Sequence, residues 1–76
     1  MTNQEAVIGV LKEHACLSGS EVKFFAKRMF NVDIPLGCVA VVGRNLFNKG
    51  LLCKQIHPVS GKIVYWLTEE AKNEIL

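Results

Sequence analysis

Apolar residues recur at helical spacing in three stretches of the chain and alternate in two. In the first stretch Ala6, Val7, Val10, Leu11 and His14 share one side, with Lys12 and Glu13 outside it. Thr2-x-x-Glu5 precedes them as a capping box, so a helix is predicted over 3–14. Gly9 weakens that helix by about 1 kcal/mol relative to Ala, which predicts close packing there. Ser18-x-x-Glu21 is a second capping box, opening a helix from Gly19 or Ser20 to Phe30. Its expected core stripe is Val22, Phe25, Ala26 and Met29, flanked by Phe24 and Phe30. Asn31 to Pro35 reads as a turn, because Ile34 before proline is biased away from helical angles and Pro35 suits a first helical position. A third helix is predicted over 35–49. At 100° per residue, Leu36, Val39, Val42, Gly43, Leu46 and Phe47 form one broad inward face. Gly37, Cys38, Val41, Arg44, Asn45, Asn48 and Lys49 form the outward one.

Gly50 stops that helix, since glycine takes the left-handed conformation without a Cβ clash. The period then changes from helix to strand. Leu51 to His57 and Lys62 to Leu67 read as two strands joined by a Pro58–Gly61 turn. Leu52, Ile56, Ile63, Tyr65 and Leu67 are expected to cover the core, with Trp66 at its margin or partly exposed. Thr68 followed by Glu69 and Glu70 starts a short last helix, with Ala71, Ile75 and Leu76 on one side. A third short strand near Leu17 or Ile34 would extend the sheet. The class is α+β, as one domain over 1–76.

The order of helix, glycine, apolar pair, basic hairpin, "YxLT" motif and helix resembles the back half of a winged helix-turn-helix domain. The resemblance is to the bacterial and phage regulator superfamily that includes the multiple-antibiotic-resistance and arsenic-repressor types. It is carried by Leu46, Lys49 to Leu52, Gly61-Lys62 and Tyr65 to Glu70, and by "FFAKRMFNV" in the second helix. It implies a three-helix core, a two-stranded wing and a short terminal helix, with the third helix as recognition helix.

Charge sharpens this expectation. Residues 21–62 carry Lys23, Lys27, Arg28, Arg44, Lys49, Lys54 and Lys62 against Glu21 and Asp33, a net of +5. The segments on either side are net acidic, so the basic excess lies where a winged helix would meet DNA. Cys16, Cys38 and Cys53 are odd in number and lack a CxxC spacing, which argues against a disulfide framework or a metal site and for thiols in a reducing cytoplasm. No apolar run approaches the ~20 residues a membrane span needs, and the first residues lack the basic start of a signal peptide. There is no HExxH, GxSxG or GxxxxGK[ST], and the two histidines lie far apart, so neither an enzyme nor a cofactor is expected.

The resulting expectation is a double-stranded DNA-binding protein, a small transcriptional regulator working as a homodimer. Val41, Arg44, Asn45 and Asn48 would contact bases, because Arg forks onto guanine, Asn pairs with adenine and Val can touch a thymine methyl. Lys23, Lys27, Arg28, Lys49, Lys54 and Lys62 would hold phosphates. One feature departs from the superfamily. A recognition helix normally carries polar side chains in its first two turns, whereas this one offers Leu36, Gly37, Cys38, Ala40 and Val41. The alternative is therefore a winged helix that docks a protein partner through that apolar start.

Overall fold

The structure, a computed structural model, describes residues 1–73. Ile75 and Leu76, expected on the last helix, lie outside the described residues. The elements run α1 (Asn3–Glu13), β1 (Leu17–Ser18), α2 (Gly19–Phe30), α3 (Leu36–Asn48), β2 (Leu52–Ile56), β3 (Ile63–Leu67) and α4 (Glu69–Asn73). Both capping boxes form. Thr2 Oγ1 accepts from the Glu5 backbone N–H, and Glu5 Oε1 accepts from that of Thr2. Ser18 and Glu21 repeat the exchange. These bonds, to the Thr2 and Ser18 backbones first, hold both carboxyl groups below the ordinary Glu range. Pro35 sits one residue earlier than expected, at the N-cap of α3.

The three strands form one antiparallel sheet in the order β1-β3-β2. The short strand expected near Leu17 exists and pairs Leu17 with Tyr65 and Ser18 with Val64. Ile34, the other candidate, belongs to no strand. It is instead fully buried in the turn between α2 and α3. The hairpin register sets Leu52 opposite Leu67, Lys54 opposite Tyr65 and Ile56 opposite Ile63.

The core lies between the three helices and the base of the sheet. It gathers Val7, Ile8, Val10 and Leu11 from α1, Val22 and Ala26 from α2, Val39 and Leu46 from α3, and Leu52, Tyr65 and Leu67 from the sheet. Two glycines admit aromatic rings. A Cβ on Gly9 would lie 2.7 Å from Phe30 Cζ, so the close packing expected there is the α1–α2 crossing. A Cβ on Gly43 would lie 2.8 Å from Tyr65 Cε1, so β3 presses a ring directly onto the α3 backbone.

Several expected core positions are not buried. Leu36, Met29, Phe47, Ile56 and Ile63 are all exposed. A stripe drawn at 100° per residue is wider than the contact two helices make, and Leu36 and Phe47 fall on the edge of the one on α3. Met29 lies within its stripe but in the last turn of α2. Ile56 and Ile63 lie on the correct face of the sheet, but the helical layer does not cover them: α3 only borders Ile63 across a shallow pocket. Cys38, assigned to the outward face of α3, is half-buried and packs against the core.

Candidate nucleic-acid interface

The turn before α3 determines how that helix leaves the core. Asn31 takes a left-handed conformation, φ 56°, and its N–H closes α2. Lys23 Nζ then donates to Asp33 Oδ1 at 2.9 Å and to the Ile34 carbonyl at 3.1 Å. The ammonium beside Asp33 holds its carboxyl below the usual range. Lys23 thus ties α2 to the turn, with one of its three protons left for anything outside the chain.

The far end of α3 is closed as well. Gly50, φ 75°, bends the chain back, while Gly50 N–H and Leu51 N–H donate to the Phe47 and Leu46 carbonyls. Thr68 Oγ1 donates to the Gly50 carbonyl at 3.0 Å, which pins the start of the hairpin to its end. Between these two fixed ends, Gly37, Val41, Arg44 and Asn48 recur at i, i+4, i+7 and i+11 and form one exposed stripe. Asn45 flanks it, and Lys49 caps the helix.

The hairpin leans over one side of this stripe. Ala40, Val41 and Arg44 line a shallow pocket of about 240 Å³ with Lys54, Ile63 and Tyr65. Lys54 Nζ also stands 5.2 Å from the centroid of the Phe47 ring. A second pocket, about 260 Å³, brings Lys62 and Ile63 beside Leu36 and the Ser18–Ser20 start of α2. At the hairpin tip, His57 Nδ1 accepts from the Val59 and Ser60 backbone N–H groups, at 3.2 and 3.3 Å. His57 and Lys62 close the turn backbone to backbone. Burial pushes the Tyr65 phenol up from its ordinary range.

Of the predicted site residues, Val41, Arg44, Lys54 and Lys62 therefore converge around the groove between α3 and the hairpin, with Asn48 further along the same stripe. Lys27 and Arg28 do not join them. They line a separate pocket on α2 with Lys23, Phe24 and Asp33. Sequence reasoning missed Ile63 as part of the groove, having placed it in the core, and assigned Leu36 both to the inward face and to the apolar start of the helix. The signal available was the hairpin length. A five-residue strand reaches about 17 Å, past the width of one helix of about 10 Å. From Ile34 to Thr68 the chain holds no Asp or Glu, so neither α3 nor the hairpin carries an acid. Among the described residues no cluster of three or more His, Cys, Asp or Glu could hold a metal ion, and no helix is long and apolar enough to cross a membrane.

A helix pair joined by a short turn, with the second helix exposed beside a β-hairpin, defines a winged helix-turn-helix domain. Solved structures share this arrangement, among them a winged-helix DNA-binding protein. RosR from H. salinarum superposes with TM-score 0.74 at 25% identity, over 92% of this chain and 63% of RosR. YusO from Bacillus subtilis gives 0.72 at 28% identity, over 90% of this chain and 45% of YusO. F93 from STIV, a winged-helix DNA-binding protein, gives 0.75 at 22% identity over 90% of this chain, a likeness of fold alone. The chain spans less than two thirds of the length of RosR. No protein-family model and no curated protein matches the sequence.

Proposed function

We propose that this domain binds double-stranded DNA as a small cytoplasmic transcriptional regulator, with α3 in the major groove and the hairpin as a wing on the adjoining backbone. One observation carries the reading: Arg44 of α3 and Lys54 of the hairpin line the same groove, on a surface without acids from Ile34 to Thr68. Two elements that present cations on one side, one of them a helix narrow enough for the major groove, suit a duplex. The base contacts fall to Val41, Arg44, Asn45 and Asn48. The phosphate contacts fall to Lys54 and Lys62 beside the groove, to Lys49 at the end of α3, and to Lys27 and Arg28 on α2. Lys23 contributes least, since its ammonium already holds Asp33 and Ile34. As a homodimer the domain would place two copies of α3 on half-sites about 34 Å apart.

The test is fluorescence anisotropy on random duplex DNA at increasing salt. Several released counterions, read from the log–log slope, support the reading. No binding at low salt overturns it.

The second reading, a protein-docking surface, is favoured by the exposure of Leu36 (54%), Val41 (47%) and Ile63 (44%) around the same groove, and of Ile56 (64%) paired with Ile63 on the hairpin. Val41→Asp separates the two. It abolishes a complex built on apolar contact and does less to the phosphate-driven binding of random duplex DNA, although Val41 is itself a base contact in the DNA reading.

A further inference from the structure

The first two turns of α3 carry almost no hydrogen-bonding chemistry. Apart from the half-buried Cys38 thiol, no side chain from Pro35 to Gly43 can donate or accept a hydrogen bond. Yet Leu36, Gly37, Ala40 and Val41 are exposed, and a Cβ on Gly37 would meet nothing within 4 Å. The hairpin extends this apolar strip with Ile63, beside Ala40 and Val41. The first polar side chain along the stripe is Arg44.

Base edges in the major groove present donors and acceptors, with one apolar exception, the thymine C5 methyl. An apolar surface laid over any other edge removes its water and returns no hydrogen bond. A carboxylate that could accept from the cytosine amino group is missing from both α3 and the hairpin.

Resting on the DNA-binding reading above, we propose that the start of α3 recognises thymine methyl groups. The preferred duplex then displays consecutive methyls beneath Leu36, Gly37, Ala40 and Val41, with a guanine under Arg44. Gly37 and Arg44 are seven residues apart, about 10 Å along the helix, or about three base-pair steps. Gly37 has no side chain to hold the backbone away, so the helix can approach the methyl row closely. Val41 and Ile63 then close over the methyls from two sides.

The experiment is to select duplexes from a random pool, then replace each thymine of the preferred site by deoxyuridine, which deletes only the methyl. The expected result is a site rich in A·T pairs in which each contacted thymine loses about three- to fivefold in affinity on replacement, the worth of one buried methyl group. Val41→Ser should erase that loss at one position, while Arg44→Ala leaves it intact. A selected site that binds equally well with every thymine replaced overturns the inference and leaves the DNA reading standing. A domain that binds no duplex at all overturns both.

Discussion

The two ends of the hairpin carry the same pattern on the same face and meet opposite surroundings. At the base, Leu52 faces Leu67 and both are buried. At the tip, Ile56 faces Ile63 and both are exposed. Between them the pair of Lys54 and Tyr65 marks the change, with the ring in the core and the ammonium in the groove. Alternation states which side of a strand is apolar. It does not state how far along the strand another layer lies over that side. Branched aliphatic side chains hold the fold together at one end and stand exposed at the other.

Truncation should expose that difference most strongly. Leu67→Ala is expected to destabilise the domain by about 2–5 kcal/mol in denaturant unfolding, while Ile63→Ala should change stability by under about 0.5 kcal/mol. Equal costs would mean that the tip is packed after all. Gly43→Ala probes the boundary itself. Its new methyl meets the Tyr65 ring, and a loss of about 1–3 kcal/mol is expected, shrinking when Tyr65 is replaced by Leu in a double-mutant cycle. On the ligand side, Arg44→Ala should cost about 1–3 kcal/mol at a preferred DNA site and relax its sequence preference. Unchanged preference would remove Arg44 from the groove. Lys62→Ala should weaken all sequences alike and lower the salt slope by about one. The smallest effect is acid sensitivity. The Glu21 carboxyl is depressed in the folded state, so its contribution is complete above about pH 4.5, the ordinary value, and is lost as pH falls through the lower folded value. For so exposed a group this amounts to under about 1 kcal/mol. Glu21→Gln should flatten that part of the stability–pH curve, and an unchanged curve would mean the carboxylate charge adds nothing to the capping box.

Local rules were legible from residue type alone. Thr2, Ser18, Gly50 and Thr68 each act at a helix end as their chemistry predicts, because caps depend on neighbours three or four residues away. The winged-helix order followed from the same signals. Burial depends on the whole assembly and was less legible. Ile8 and Ile34, which sequence analysis left out of the core, are among its buried members, while Leu36 and Phe47 turned outward. Ile34 shows why. A residue before proline in a turn has no periodic partner, yet the Lys23 tether draws its backbone against α2. The groove was hidden for a related reason. Val41 and Ile63 are 22 positions apart, and the packing of the hairpin on α3, with the Tyr65 ring against Gly43, brings them to one pocket.

That contact also sets a mechanical limit. With the Tyr65 ring seated on the Gly43 backbone, helix and hairpin cannot slide past one another without opening the core. On the DNA-binding reading they would work as the two jaws of a fixed caliper. A duplex gripped by both must bring its groove and its flanking backbone to the jaw spacing, so local groove width and stiffness would be sorted alongside base identity.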